Sequence, residues 1–354
     1  MRLVCTLLLG FTLLCACSSS SSNRTQYPPQ QYPPGQYPPG QYPPQQYPGQ
    51  YPPGQYPPQQ YPPGTQPPPA SAVPTPPPGT SPPNAAPVSN DPINATDIVY
   101  LRQRAQGVLG ELVAALAPAN QSRVANIPLI VDDEPGEVNA FAACSGGKAA
   151  MAISDGLLDI SAHLAQAKAN DEIFGTQKLD PYIALIAQHQ RPGQPIVRPA
   201  PGFFDPQQQV DGRKVQRQHQ LLEEQLAFIL GHELAHHYLG HLPCTAQGGL
   251  NTSELGHVLS SVVPGFNQPN EIAADVAGTN NLLTAGKRRT ANQFSEGGAL
   301  LTMAFFSGLD RLTPNDIIFG FERSHPPPQL RSPVISQTAA TWRATGGQPL
   351  VFPF

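Results

Sequence analysis

Residues 221–241 read LLEEQLAFILGHELAHHYLGH, in which an apolar run leads into the sequence H-E-x-x-H. The apolar residues recur at helical spacing and no proline interrupts them, so this segment predicts a helix. His232 and His236 would then lie one turn apart, about 40° from each other around the helix axis. Two imidazoles at that spacing can reach one metal ion, which favours a metal site over a helix surface that is merely rich in histidine.

Glu233 lies about 100° from His232 around the same axis, which is too far for a third ligand at that point. Its carboxylate is well placed to accept a proton from a metal-bound water, as in zinc peptidases. The histidine pair and this carboxylate therefore predict metal-assisted hydrolysis, with Glu233 as the general base.

The third metal ligand is expected from a later segment of the chain. The pattern that places a third histidine six residues after His236 fails, because Leu242 stands at that position. His241 would lie about 140° from His236 around the helix, and we expect it to point away from the metal. Two carboxylates remain as candidates, Glu254 in TSELGH and Glu271 in EIAADVAG.

Asp275 follows Glu271 by one helical turn, so the two carboxylates would lie on the same face of a helix. One of them could bind the metal while the other accepts a hydrogen bond from the second ring nitrogen of a ligand histidine. This pairing favours Glu271 over Glu254. The alternative is a helix N-terminus that carries acids because they suit the helix dipole.

Four ordered motifs make the chain similar to a known family. They are NAFA at residues 139–142 followed by GG and DGLL, then HELAHHYLGH, then EIAAD at residues 271–275, and finally His325-Pro326 with Arg331 six residues after the histidine. Together these motifs resemble the CAAX-prenyl-protease and HtpX-like zinc metallopeptidases, the minigluzincins. The resemblance covers most of the chain after Asn90.

The resemblance implies a mostly helical α+β domain with a small antiparallel sheet. It also implies one zinc ion per chain, with Glu233 as the general base. The implied zinc ligands are His232, His236 and Glu271.

Further positions gain a role through the resemblance. Asp275 would orient a ligand histidine, and His325 would lie near the cleft as a second catalytic residue. In related peptidases an edge strand binds the extended backbone of the substrate. Here the resemblance implies that Asn139, Ala140 and Phe141 form that part of the site.

Three segments before the metal-binding helix predict strands, at residues 127–131, 138–142 and 148–153. The turn sequences EPG and SGG separate them, which favours a small sheet. Residues 191–209 are rich in Pro and Gln and predict a long loop, inside a segment that is longer than in the family. This loop is either a lid over the site or a passive insertion.

Residues 1–16 predict a lipoprotein signal peptide. The apolar run at residues 4–14 is too short to span a bilayer, and it leads into LCAC, which resembles a bacterial lipobox with Cys17 as the lipid acceptor. By the sorting rule for such lipoproteins, Ser18 implies the outer membrane, facing the periplasm. We therefore expect a lipid-anchored protein of the cell envelope.

Residues 17–92 predict a disordered linker that contains repeats of QYPPG or QYPPQ. Proline removes backbone donors, so polyproline II stretches are expected instead of a packed core. The simplest interpretation is a spacer between the membrane and the enzyme. The alternative is a docking tract for a partner that the repeats do not identify.

Residues 93–354 are long enough for one well-buried domain, the predicted zinc metallopeptidase domain. Cys144 and Cys244 are its two cysteines, and in an oxidising periplasm such a pair predicts a disulfide; two buried thiols are the alternative. The formal net charge of −4 gives no basic surface for nucleic acid, so no nucleic-acid partner is expected.

These features predict a membrane-anchored zinc metalloendopeptidase that cleaves unfolded or misassembled proteins of the cell envelope. The predicted anchor accounts for the location, and an edge strand that reads backbone accounts for the broad substrate class. The alternative function is that of an envelope lipoprotein with a chaperone-like binding role and no proteolysis.

Overall fold

A computed structural model of the protein describes residues 91–145, 147–191, 193–244, 268–313 and 319–348. The predicted signal peptide, the predicted lipid acceptor Cys17 and the proline-rich repeats lie outside the described residues, and so does Glu254. No helix within these ranges is both long enough and apolar enough to cross a membrane.

The described chain forms mostly helices together with one small sheet. The helices are α1 (Ile98–Ala115), α2 (Pro118–Val124), α3 (Asp155–Phe174), α4 (Leu179–His189), α5 (Pro206–Gln209), α6 (Gly212–Tyr238), α7 (Gln268–Lys287), α8 (Gly297–Leu312), α9 (Gly320–Ser324) and α10 (Pro328–Ala344). The strands are β1 (Leu129–Asp132), β2 (Ala140–Ser145) and β3 (Lys148–Ser154). The prediction of a mostly helical α+β fold is confirmed.

The starts of two long helices follow local capping chemistry. The carboxylate of Asp97 precedes α1 and accepts hydrogen bonds from the amides of Val99 and Tyr100, at 3.0 and 3.3 Å. Helix α6 begins after Asp211, whose carboxylate accepts from the amide of Arg213 at 2.9 Å. These side chains satisfy amides that have no partner inside the first helical turn.

Helix α6 is the centre of the fold, and α1, α3, α7 and α8 pack around it. Its closest neighbour is α7. A Cβ atom on Gly278 would lie 2.8 Å from the backbone nitrogen of His232, and one on Gly231 would lie 3.3 Å from the carbonyl oxygen of Gly278. Glycine at both positions lets the two helix backbones meet directly beside His232.

The sheet is mixed, so the prediction that it is antiparallel was wrong. β2 pairs with β3 in the antiparallel direction, and β1 pairs with the other side of β3 in the parallel direction. The chain crosses from one side of β3 to the other between β1 and β2, and this gives the first strand the direction of the third. β2 is consequently an edge strand of this sheet, and it packs against α6.

The long loop after α4 is held against neighbouring helices. The side chain of Gln190 donates to the carbonyl of Gln194 at 2.9 Å and accepts from the amide of Val197 at 2.9 Å. Arg198 then forms an ion pair with Asp159 of α3 at 2.7 Å. These contacts tie the loop to α3 and to the end of α4, which favours a passive insertion over a lid.

Candidate metal centre

Three side chains converge where the C-terminal part of α6 meets the first turn of α7. The Nε2 atoms of His232 and His236 are 3.1 Å apart. The carboxylate of Glu271 lies 3.3 Å from the first of these nitrogens through Oε2 and 3.5 Å from the second through Oε1. A zinc ion at about 2.0–2.1 Å from tetrahedral ligands holds them about 3.3 Å apart. The three groups therefore have the spacing of a zinc ligand set.

The chemistry of these groups also fits a metal ion. Two imidazole nitrogens and one carboxylate form the protein ligands of one type of catalytic zinc site. Oε2 of Glu271 is buried and accepts no well-aligned hydrogen bond from the described residues. A buried carboxylate oxygen without a donor is unfavourable unless a cation lies next to it. The site therefore fits one zinc ion.

Asp275 lies behind His232, one helical turn after Glu271 on α7. Its Oδ1 atom is 2.9 Å from Nδ1 of His232, and Arg331 of α10 donates to the carboxylate from Nε and Nη2 at 3.0 and 2.7 Å. Burial would raise the pKa of Asp275, but the charge of Arg331 and the contact with His232 hold it well below its ordinary range. The carboxylate stays charged and fixes the orientation of the His232 ring.

The same contacts give the two histidines different proton affinities. Burial and Arg331 would lower the pKa of His232, but its contacts with the carboxylates of Asp275 and Glu271 raise that pKa to about 9. Burial and the neighbouring His232 lower the pKa of His236 to about 3. The two rings therefore bind protons unequally, and because a metal binds the unprotonated nitrogen, metal binding at this pair is coupled to proton release.

Both carboxylate oxygens of Glu233 are engaged. Oε2 accepts a hydrogen bond at 2.8 Å from the backbone amide of Ala142 in the edge strand β2. Oε1 lies 3.2 Å from Nε2 of His325. Burial would raise the pKa of Glu233, but the hydrogen bond to His325 and the charges of the surrounding histidines lower it overall. Glu233 is thus a charged acceptor beside the ligand atoms, which suits a base.

His325 follows the short helix α9 and is buried. Its Nδ1 atom lies 3.1 Å from the carbonyl oxygen of Phe321 and 2.9 Å from Oγ of Ser324, and its ring stacks on Phe321 with centroids 4.2 Å apart. One ring nitrogen lies within 4.8 Å of ligand atoms of both His232 and Glu271. The fixed ring therefore faces both the candidate metal ligands and Glu233.

The positions expected to bind substrate lie at the start of β2. Ala140 and Phe141 have buried side chains, and the side chain of Asn139 accepts a hydrogen bond from Ser324 at 3.4 Å. These side chains hold the strand and α9 in place, so an extended peptide would meet the backbone of this edge. Ala142, whose amide contacts the predicted base, was missed because the contact involves only backbone on the strand side.

Two further residues touch the site in ways that the sequence patterns did not indicate. Arg331 belongs to a quoted motif, but its contact with Asp275 comes from the packing of α10 on α7. His241 contacts His236 on the side of the ring away from Nε2, since its Nδ1 atom lies 3.0 Å from Nδ1 of His236, and this contact was not predicted. The helical period could not be extended to His241, since the chain turns at Gly240, where φ is 78°.

Cys144 and Cys244 are free thiols in this structure, and the predicted disulfide is not formed. The two thiols nevertheless interact: burial and then the contact with Cys144 raise the pKa of Cys244 to about 12. The disulfide stays a prediction for an oxidising compartment.

Comparisons with known proteins agree with this geometry. The model of peptidase family M48 matches residues 103–339, a range that contains His232, Glu233, His236, Glu271 and His325. No curated protein and no solved structure matches the chain. The family match spans most of the chain and confirms the resemblance that the four motifs indicated: this chain belongs to peptidase family M48.

Proposed function

We propose that this M48 chain is a membrane-anchored zinc metalloendopeptidase, which hydrolyses peptide bonds of unfolded or misassembled cell-envelope proteins. The observation that carries the proposal is the convergence of His232, His236 and Glu271 beside the carboxylate of Glu233. The family match supports peptidase chemistry. The buried Oε2 of Glu271 lies 3.3 Å from Nε2 of His232 but accepts no well-aligned hydrogen bond, which supports a cation at that point.

Each residue of the site has its own role in the proposed hydrolysis. When bound, the zinc ion supplies a Lewis acid for the scissile carbonyl and lowers the pKa of the attacking water. Glu233 accepts the proton of that water and passes it to the leaving amine. His325, at 3.2 Å from Glu233, steadies that carboxylate and can donate to the oxygen that becomes negative during attack.

The contact between Ala142 and Glu233 supports recognition of the substrate backbone. A peptide that extends along β2 would offer a carbonyl to the amide of Ala142, which now donates to Oε2 of Glu233. Binding of the peptide would then free Oε2 for the attacking water. Because the peptide would be bound through its backbone, binding along β2 suits unfolded segments in general and gives little selectivity for a particular sequence.

The proposed anchor is a lipid on Cys17, and residues 17–92 would act as its spacer. Fully extended, a proline-rich segment of this length reaches on the order of 200 Å, which would let the peptidase domain work well away from the membrane. Replacing Cys17 by Ala should move the expressed protein from the membrane fraction to the soluble fraction. If it stays with the membrane, the lipid anchor is wrong.

The catalytic proposal is tested with two matched substitutions of acidic residues. Glu233→Gln should keep about one zinc ion per chain and lower the rate of casein hydrolysis by about 10²–10⁴-fold, because only the base is lost. Glu271→Gln should lose both zinc and hydrolysis, because a ligand is lost. Zinc is measured by atomic absorption on purified protein, and activity with and without a chelator.

Two outcomes would contradict the proposal. Cleavage by pure Glu233→Gln protein at the rate of the unaltered protein would remove Glu233 as the base. Unaltered protein that binds no zinc and cleaves nothing, yet still binds unfolded envelope proteins, would favour the chaperone-like binding role.

A further inference from the structure

The helix that carries the metal ligands ends in a turn of defined geometry. Leu239 is the C-cap of α6, and Gly240 follows in the left-handed region, with a φ of 78°. The amide of Gly240 donates to the carbonyl of His237 at 3.1 Å, and the amide of His241 donates to the carbonyl of His236 at 2.9 Å. These two hydrogen bonds form a Schellman motif.

In a Schellman motif the residue after the glycine packs over the residue five positions earlier, usually through an apolar contact. Here those two residues are His241 and His236, and both are histidine. Their Nδ1 atoms are 3.0 Å apart, and their ring centroids are 5.0 Å apart with the planes at 69°. The turn thus replaces the usual apolar contact with a hydrogen bond between imidazoles.

The direction of this hydrogen bond follows from the other side of the His236 ring. Nε2 of His236 faces His232 and Glu271, so it is the nitrogen that would bind the metal. An imidazole that binds a metal through Nε2 carries its proton on Nδ1. That proton can be donated only to an unprotonated Nδ1 of His241, which therefore keeps its own hydrogen on Nε2.

We propose that His241 is a positioning residue, which fixes the rotation and tautomer of His236 for metal binding. The inference rests on the proposed zinc site. The two ligand histidines then have unlike supports: Asp275 behind His232 is charged, whereas His241 behind His236 is a neutral acceptor. A neutral acceptor orients the ring without adding another negative charge to a site that already contains Glu271.

Three substitutions in the same turn test the role of His241. His241→Leu keeps the apolar packing of the Schellman motif but removes the acceptor. His241→Asn restores an acceptor, because Oδ1 of Asn lies as many bonds from Cα as Nδ1 of His does. Leu239→Ala is the control, since Leu239 is 41% exposed and lies in the same turn.

Zinc affinity is measured on the full chain by competition with a chromophoric chelator, and the visible spectrum of the cobalt-substituted protein reports the ligand geometry. His241→Leu should bind zinc about 10–100-fold more weakly and shift the cobalt spectrum. His241→Asn and Leu239→Ala should stay close to the unaltered protein. With zinc at saturation, His241→Leu should lower kcat more than it changes KM.

His241→Leu protein that is folded by circular dichroism and binds zinc as tightly as the unaltered protein would overturn this role. So would equal losses in His241→Leu and His241→Asn, because they would point to a purely steric effect. Failure of the proposed function is distinguishable, since the unaltered protein itself would then bind no zinc.

Discussion

Arg331 and Asp275 form a buried ion pair, in which Nη2 of the guanidinium lies 2.7 Å from Oδ1 of the carboxylate and both side chains are at most 2% exposed. The pair connects α10 to α7 directly behind His232, whose Nδ1 faces the same carboxylate. A buried carboxylate needs such a partner, because its transfer from water is otherwise strongly unfavourable. Arg331 therefore helps to hold the candidate ligand His232 in place, although Arg331 is not expected to bind the metal itself.

The first prediction concerns this ion pair. Arg331→Met should lower the free energy of unfolding by about 3–5 kcal/mol, because it leaves the charge of Asp275 buried and unpaired. It should also weaken zinc binding through the loss of orientation of His232. Urea unfolding and chelator competition measure the two effects. The control is Arg217→Met, which removes a partly exposed ion pair with Glu172 and should cost about 1 kcal/mol or less.

Arg331→Lys separates charge from geometry in the same position. Lysine keeps the positive charge but cannot donate two parallel hydrogen bonds to one carboxylate. Its stability and zinc affinity should fall between those of the unaltered protein and Arg331→Met. Equal stability of Arg331→Met and Arg217→Met would show that the buried pair contributes no more than a surface pair.

The second prediction concerns the close approach of α6 and α7. The added Cβ of Gly278→Ala would lie 2.8 Å from the backbone nitrogen of His232, so one helix has to move. We expect a loss of about 1–3 kcal/mol in the free energy of unfolding and weaker zinc binding, because Glu271 moves with α7. Gly110→Ala on the exposed side of α1 is the control. It meets no atom within 4 Å, and it should stabilise the protein by about 0.5–1 kcal/mol.

The two effects of Gly278→Ala are expected to occur together. Thermal unfolding gives the stability, and metal competition on the folded variant gives the zinc affinity. Loss of stability with unchanged zinc affinity would mean that the helices relax without moving Glu271 away from His232.

The spacing of His232 and His236 could be predicted because it depends only on the period of one helix. The candidate third ligand could only be ranked, since Glu271 lies on another helix and its distance to the histidines depends on how α6 and α7 pack. The close contact of Gly231 with Gly278 sets that distance. Nothing in the alternation of apolar residues indicates which two glycines will face each other.

The mixed sheet and the contact of His241 with His236 could not be predicted for similar physical reasons. Strand propensity identified three strands, but the order and direction of strands depend on where the connecting chain crosses, so the mixed sheet was missed. The contact of His241 with His236 was not predicted, because a rotation of about 100° per residue holds only inside a helix and Gly240 ends that geometry. The sequence does show Gly240 after the helical segment, and a glycine there indicates that the following residue folds back over the last turn of the helix.

The third prediction concerns Glu224, a fully buried acid of α6 that caps another helix. Its carboxylate accepts hydrogen bonds from the amides of Ser295 and Gly298 at the start of α8, at 2.9 and 3.1 Å. Glu224→Ala leaves both amides without an acceptor and should lower the free energy of unfolding by about 2–5 kcal/mol in urea unfolding. Glu296→Ala, near the same helix start, removes a surface ion pair with Arg343 and should cost about 1 kcal/mol or less.

The capping interpretation predicts where the destabilisation appears. Hydrogen exchange of the amides in the first turn of α8 should quicken most in Glu224→Ala. Uniform quickening over α6 and α8 would indicate loss of packing by Glu224 instead of loss of a cap.

The last prediction concerns Lys214, which is fully buried in the N-terminal part of α6. Its ammonium nitrogen lies 2.7 Å from Oδ1 of Asn94 and also contacts the side-chain oxygen of Gln209. Burial lowers the pKa of Lys214 to about 7, although the charge of Asp91 acts in the opposite direction. The native amine therefore releases its proton at a much lower pH than the amine of the unfolded chain.

The sign of the pH effect follows from proton counting. Between about pH 7 and the ordinary lysine pKa of 10.5, the unfolded chain holds a proton that the native protein has released. The free energy of unfolding must then rise with pH, by up to about 1.4 kcal/mol per pH unit. Lys214→Met lacks this contribution, so its stability should rise less between about pH 7 and 9.5.

Urea unfolding of both proteins at about pH 6.5, 8 and 9.5 measures the difference. Because the two proteins share the metal site and all other titrating groups, the difference between their pH profiles isolates Lys214. The free energy of unfolding of the unaltered protein minus that of Lys214→Met should be lowest at about pH 6.5, where the buried ammonium destabilises the unaltered protein. This difference should rise toward pH 9.5. Parallel profiles would show that Lys214 has the same proton affinity in the folded and unfolded chains, so that the polar contacts with Asn94 and Gln209 fully replace its hydration.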